Sequence, residues 1–243
     1  MLSKETKIFG RDKELNQVLG FLNIPTNSKR KRAISSTNAS TSASASDQVS
    51  NESRISSITV LSIVGIGGVG KTTLAQHICN HQRVKSHFDT IIWICVSDDF
   101  DVKRLTKEAI GSYPGKKATT DNLNSLQHVL SGILSNERFL IVLDDMWDDA
   151  LKEHGLRWKT FCAPFKNVLQ GSMMLVTTRS QKVARLVHTM EPIILEELKG
   201  DVFWDFFKLC VFGSGSFDDY PGLEPIGKDI LPKLKGSPLA AKT

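Results

Sequence analysis

Eight consecutive residues, Gly65-Ile66-Gly67-Gly68-Val69-Gly70-Lys71-Thr72, carry the densest chemical signal in this chain. They fit G-x-x-x-x-G-K-[ST], a loop whose glycines let backbone N–H groups turn inward around a phosphate chain. The candidate phosphate contacts are Gly67, Gly68, Val69, Gly70, Lys71, Thr72 and Thr73. In such a loop the lysine reaches the β- and γ-phosphates and the hydroxyl after it ligates Mg²⁺, which assigns these tasks to Lys71 and Thr72. Context favours the reading. Ile58–Val64 upstream is β-branched and apolar, as a buried strand is. Thr73–Cys79 downstream reads as a helix, whose N-terminal dipole favours an anion. The competing reading is a glycine-rich turn between strand and helix that holds no ligand.

A second chemical signal lies 72 residues beyond Thr72, where the apolar run Leu140-Ile141-Val142-Leu143 delivers Asp144 and Asp145. An acid at the carboxyl end of a parallel strand lies where open α/β sheets bind ligands. Asp144 is therefore the candidate second ligand of the Mg²⁺, and Asp145 the candidate catalytic residue that orients or deprotonates an attacking water. Acids also cap strands in surface loops, so the pair gains its meaning from the loop upstream. A third strand end, Thr177-Thr178-Arg179, offers a guanidinium that could contact a γ-phosphate or pair with a nearby acid. Trp147 is expected to pack. His77 and His81 are four residues apart on a helix, a spacing that can hold a metal, but no third ligand accompanies them.

These residues need a sheet to position them, and the chain is long enough to build one. At 243 residues it can hold one large α/β domain, or one domain plus part of another, and 40% hydrophobic and 23% charged content is ordinary for a soluble globular protein. Strand patterns at 58–64, 90–96, 139–143, 172–177 and 192–195 alternate with helical ones. The helices fall near Asp12–Leu22, 101–110, Leu123–Leu134, Gln181–Leu186 and 201–212. That alternation predicts a parallel sheet covered on both faces. Residues 28–57 interrupt the pattern with eleven serines and only Ile34, Val49 and Ile55 as bulky aliphatics. Such a segment buries too little surface to offset its ordering, and a disordered or poorly ordered loop is expected there.

The formal charge of +5 is uneven. Lys29, Arg30, Lys31, Arg32 and Arg54 against Asp47 and Glu52 place +3 within residues 28–57. The rest is nearly balanced, so composition makes no case for a nucleic-acid-binding face. The basic run Lys29–Arg32 reads either as a nuclear-import patch or as solvated linker charge. Cys79, Cys95, Cys162 and Cys210 form no C-x-x-C pair, and three of them lie in apolar runs, as reduced core thiols of a cytosolic protein do. Charge begins at Lys4, too early for a signal peptide, and no apolar run approaches the ~20 residues that cross a membrane.

Taken in order, the motifs resemble the NB-ARC module of plant NLR disease-resistance proteins, a branch of the signalling P-loop ATPases. Gly65–Thr72 is similar to its P-loop, and Phe88-Asp89 with Trp93-Ile94-Cys95-Val96-Ser97 to its next motif. Leu140–Trp147 resembles its Walker B segment, with the tryptophan of the coiled-coil rather than the TIR class. Thr177-Thr178-Arg179 resembles its sensor motif, which implies a phosphate-sensing role for Arg179. Ile8-Phe9-Gly10-Arg11 looks like the leading segment that approaches the adenine, implying contacts from Ile8, Phe9 and Arg11. Gly236-Ser237-Pro238-Leu239-Ala240 resembles G-L-P-L-A, in which the proline, here Pro238, packs on the adenine. Ser237 stands where that motif has leucine.

The resemblance implies a P-loop NTPase fold, a five-stranded parallel sheet with helices on both faces, followed by an incomplete helical (ARC1) subdomain. The sensor strand is expected between the P-loop and Walker B strands. Expected divisions are 1–27 for the leading segment and helix and 28–57 for the Ser-rich loop. Residues 58–197 make the nucleotide-binding domain, and 198–243 part of ARC1. The implied ligands are ADP or ATP with Mg²⁺, and the implied role is a defence switch, ADP-bound at rest, in the cytoplasm. Implied partners are an N-terminal coiled coil, ARC2 and leucine-rich repeats, with a homo-oligomer on activation. Two other readings are an inert truncated fragment and an ordinary P-loop enzyme. A GTPase would show [NT]-K-x-D and a small-molecule kinase an arginine-rich lid, and the sequence has neither.

Overall fold

The structure, a computed structural model, describes residues 8–22, 54–55, 58–96, 99–166, 168–213 and 221–243. Its strands are β1 Arg54–Ile55, β2 Thr59–Val64, β3 Thr90–Cys95, β4 Phe139–Met146, β5 Val168–Leu169, β6 Met173–Thr178 and β7 Ile193–Ile194. Five of these form one parallel sheet in the order β3-β4-β6-β2-β7. The sensor strand β6 thus lies between the P-loop strand β2 and the Walker B strand β4, as expected. Registers Cys95↔Asp144, Leu143↔Val176 and Ile63↔Thr177 bring the carboxyl ends of four strands to one edge.

Helices cover both faces. They are α1 Asp12–Phe21, α2 Lys71–Asn80, α3 Gln82–His87, α4 Val102–Gly111, α5 Leu123–Leu134, α6 Leu156–Phe161 and α7 Gln181–Val187. Strand side chains alternate between two cores, as a sheet buried on both sides requires. Ile141, Leu143, Met174 and Val176 point toward α4, α5, α6 and α7. Leu140, Val142, Leu175 and Ile63 point toward α1, α2 and α3. Each fully buried Leu, Ile or Val there contributes roughly 1.5–3 kcal/mol against the entropy of ordering the chain. Beyond the sheet follow α8 Gly200–Phe212, α9 Glu224–Ile230 and α10 Pro238–Lys242.

Several boundaries follow from local chemistry. The helix anticipated near Asp101 begins at Val102 because Asp101 is its N-cap, accepting from the Arg104 amide at 3.0 Å. Asn122 caps α5 and Ser180 caps α7 in the same way. Three departures stand out. Most of the Ser-rich stretch lies outside the described residues, but Arg54–Ile55 at its end pairs antiparallel with Val168–Leu169, where a disordered or poorly ordered loop was expected. Two residues paired across more than a hundred leave no local pattern. Second, α3 and α6 were not foreseen, since six-residue helices are too short to show a period. Third, Cys95 is exposed rather than buried, because it ends the edge strand β3. Cys79 is buried, and desolvation pushes its thiol up to about 12. Among the described residues, no helix is long and apolar enough to cross a membrane.

Candidate functional site

The loop between β2 and α2 forms the centre of the site. The Gly65 amide donates to the Thr178 carbonyl at 3.2 Å, which ties the loop's start to the end of β6. At its far end Gly70 caps α2 with φ +100°, a left-handed conformation open to glycine and strained for other residues. That turn sends the chain directly into α2, so the helix N-terminus faces the loop. Thr72 and Thr73 occupy the exposed first turn, while Leu74, Ala75 and Ile78 anchor the opposite side in the core. Lys71 is buried, and its Nζ donates to the carbonyls of Gly65 (2.8 Å) and Ile66 (2.9 Å). Its pKa is pushed below the ordinary lysine value, first by burial and then by the positive charge of Arg179. Asp145 and Asp144 oppose that shift without cancelling it.

The acids at the end of β4 are placed by an irregularity. The β4–β6 register shifts between Leu143 and Met146, and Asp145 adopts φ +55° there. Bulges re-aim side chains in this way beside active sites, and aspartate is among the residues that tolerate the left-handed region. Asp144 Oδ1 accepts from the Thr72 hydroxyl at 3.0 Å and from the Thr177 hydroxyl at 2.6 Å. Thr177 Oγ1 in turn accepts from the Asp145 amide at 2.9 Å. Thr72 and Asp144 are hard oxygen donors within hydrogen-bonding distance, a set suited to Mg²⁺ that takes its remaining ligands from phosphate and water. Among the described residues, no cluster of three or more His, Cys, Asp or Glu side chains could hold a metal by itself. His81 instead caps α3, its Nδ1 accepting from the Arg83 amide.

Arg179 follows β6 and lies beside both the loop and Asp145. Its Nε lies 3.5 Å from Asp145 Oδ1, so the alternative of pairing with a nearby acid describes one of its contacts. Trp147 is 45% exposed rather than packed, and the Arg179 guanidinium lies 4.9 Å from its ring centroid.

Opposite the acids, the leading segment, the loop and the last helices converge. Arg11 is nearly inaccessible, and its Nη2 donates to the carbonyls of Val69 (3.1 Å) and Glu196 (2.6 Å). It therefore meets the loop as a staple between backbone segments. Desolvation lowers its pKa, with Glu14 opposing. Ile8 packs against the core that α1 and α2 share, and Phe9 meets Phe206 of α8 edge-on at 5.6 Å. Pro238 opens α10 behind the cap Ser237, and the Leu239 amide donates to the Gly68 carbonyl at 3.2 Å. Thr177, Ser237 and Leu239 also contribute contacts here, beyond the residues that the motifs assign. For Thr177 a signal existed, since it stands in the sensor motif. Its contact with both acids needs the β4–β6 pairing, which periodicity does not give.

Comparison with known proteins gives the family. Residues 44–216 match the NB-ARC domain family, and the chain belongs to that family. It is 37% identical over 240 residues to the disease resistance protein RGA2 of Solanum bulbocastanum, covering 98% of this chain and 22% of that protein. It is 35% identical over 244 residues to the putative disease resistance RPP13-like protein 1 of Arabidopsis thaliana, covering 100% of this chain and 20% of that one. The chain thus spans about a fifth of the length of the curated relatives it matches. Among solved structures, that of Drosophila ORC bound to DNA aligns with a TM-score of 0.61 at 12% identity, covering 97% of this chain and 54% of that one. The Aeropyrum pernix ORC2 protein (ADPNP-ADP complexes) aligns at 0.51 and 13% identity, covering 84% and 53%. At such identities the likeness is one of fold. Membership in the NB-ARC family implies nucleotide binding.

Proposed function

We propose that this chain is the adenine-nucleotide switch of a plant disease-resistance protein, resting with ADP and activated by exchange for ATP. The observation that carries the reading is the pair of cations at one loop. Lys71 Nζ lies on the carbonyls of Gly65 and Ile66, and the Arg179 guanidinium lies beside Gly67. Such a field is complementary to a polyphosphate. The relatives' names, disease resistance proteins, supply the biological setting.

In this reading Gly67, Gly68, Val69 and Gly70 present amides to the phosphates, with Thr73 at the helix start. Lys71 neutralises the β-phosphate and meets the γ-phosphate when it is present. Thr72 and Asp144 hold Mg²⁺, which supplies charge neutralisation at the phosphate oxygens when bound. Arg179 contacts the γ-phosphate, and Asp145 orients water for a slow hydrolysis. Ile8, Phe9 and Pro238 enclose the adenine, and Arg11 keeps their segments together. Residues 58–197 make the nucleotide domain and 198–243 part of ARC1, working in the cytoplasm. A coiled coil, ARC2 and leucine-rich repeats in the full-length protein, and assembly of copies on activation, complete the proposal. A switch requires the two nucleotides to prefer different conformations.

The test is to purify the chain, denature it in acid and identify the released nucleotide by ion-pair chromatography. The expected result is stoichiometric ADP, lost in Lys71→Ala. A protein that is empty and also fails to bind added Mg-ADP overturns the reading. Rapid multiple turnover of ATP would mark an ordinary enzyme instead.

A further inference from the structure

Trp147 has no task in the nucleotide site so far described, yet it is not placed as a core residue either. Its ring is nearly half exposed, and two contacts hold it there. The indole Nε1 donates to Asp145 Oδ2 at 3.2 Å, and the ring face lies 4.9 Å from Cζ of Arg179. Asp145 closes the triangle through its other oxygen, 3.5 Å from Arg179 Nε.

The orientation this imposes on Arg179 is specific. A guanidinium presents hydrogen-bond donors in its plane and an apolar face above it, and the two can be used at once. The Trp147 ring lies under Cζ, and Asp145 takes the Nε edge. On its loop side the guanidinium lies beside Gly67, with Nη1 nearest. A Cβ built on Gly67 would lie 3.1 Å from Nη1, so glycine at that position leaves the guanidinium its place beside the loop. Without these contacts a half-exposed arginine samples many rotamers, and ordering it only on binding weakens binding.

We propose that Trp147 is a positioning residue whose ring, tied to Asp145, fixes Arg179 beside the P-loop and so sets the preference for a nucleoside triphosphate over a diphosphate. This rests on the nucleotide reading above and deepens it. The group that Arg179 would meet is the terminal phosphate, which a diphosphate lacks. Loss of the ring therefore acts on one nucleotide and spares the other.

The test uses the full chain and measures Kd by calorimetry for Mg-ADP and for the non-hydrolysable β,γ-imido analogue of Mg-ATP. Wild type is compared with Trp147→Leu, Trp147→Phe, Arg179→Ala and the Trp147→Leu/Arg179→Ala double variant. A cation–π contact at an exposed site corresponds to about a two- to fivefold change in affinity. Trp147→Leu is expected to raise Kd for the triphosphate analogue by about that factor and to leave ADP unchanged. Trp147→Phe, which keeps a ring face, retains most of the preference. In the Arg179→Ala background the leucine adds nothing further. Equal weakening of both nucleotides, no change in either, or the same loss without Arg179 would overturn the inference while leaving the nucleotide site intact. A wild-type protein that binds neither nucleotide overturns the nucleotide reading, and this inference with it.

Discussion

Lys71 is placed where stability and binding make opposite demands. Burial and Arg179 both depress its pKa, so the folded chain releases this proton at a lower pH than the unfolded chain does. Between those two values the unfolded state binds more protons, and stability rises with pH; below that window the cost of the charged ammonium is present in full. The unliganded protein is therefore expected to tolerate Lys71→Met, with a melting temperature equal to or above that of wild type. The ligand response should show the reverse. At a ligand concentration of 100 Kd, binding stabilises by about 2.7 kcal/mol. For a chain of this size that corresponds to a rise of about 5–10 °C in Tm. Thermal melts with and without Mg-ADP should show that rise in wild type and lose it in Lys71→Met. A variant melting several degrees low without ligand would mean that the bonds from Nζ to the Gly65 and Ile66 carbonyls hold the loop together. Lys71, Thr72, Asp144 and Arg179 were legible in the sequence because each stands in a local pattern with its own chemistry. The contacts of Thr177 and Trp147 were not, because they exist only once β6 lies beside β4 and the strand end has turned through Asp145.

At the scale of elements, the long helices and the five sheet strands were legible, because apolar runs and caps leave a record within a few residues. Asn122 is an example. Its Oδ1 accepts from the Ser125 amide at 3.0 Å and satisfies one of the orphan donors at the start of α5. Removing a cap costs about 1 kcal/mol, so Asn122→Ala should lower Tm by about 2–4 °C. The affinity for Mg-ADP should not change, because α5 packs on the sheet face opposite α2. Urea denaturation would register the loss as a lower midpoint at unchanged slope. An unchanged midpoint would sink the capping argument, and a shifted nucleotide affinity would mean that this face of the sheet reports to the site. Strand order needed the family resemblance, since periodicity gives the face of a strand but not its neighbour. The β1–β5 pair had no signal of either kind.

For the whole molecule, the question is how the segment after β7 reaches the P-loop. Three links do so. The Leu198 amide donates to the Gly236 carbonyl at 2.9 Å, and the Leu239 amide donates to Gly68 at 3.2 Å. Phe206 lies between Phe9 and Lys242. Gly236 is the critical point in this closure. Its φ is +64°, and a Cβ there would fall 2.3 Å from the Leu198 carbonyl oxygen, a backbone atom that has no rotamer through which to retreat. Gly236→Ala should therefore strain the turn and draw α10 off the loop, taking Pro238 and Leu239 with it. Strain of this kind costs about 1–3 kcal/mol. If α10 must dock for the adenine to be enclosed, Kd for Mg-ADP should rise on the order of tenfold. Gly111→Ala provides the control, since it lies in α4 with nothing within 4 Å of an added Cβ. That control should leave binding unchanged. Hydrogen exchange would locate the effect. In the Gly236→Ala protein the amides of α10 should lose protection while those of β4 and β6 keep theirs. Retained protection in α10 with weakened binding would mean that the turn acts on the nucleotide without the helix. Retained affinity would mean that the leading segment and the P-loop bind the nucleotide without this part of the chain.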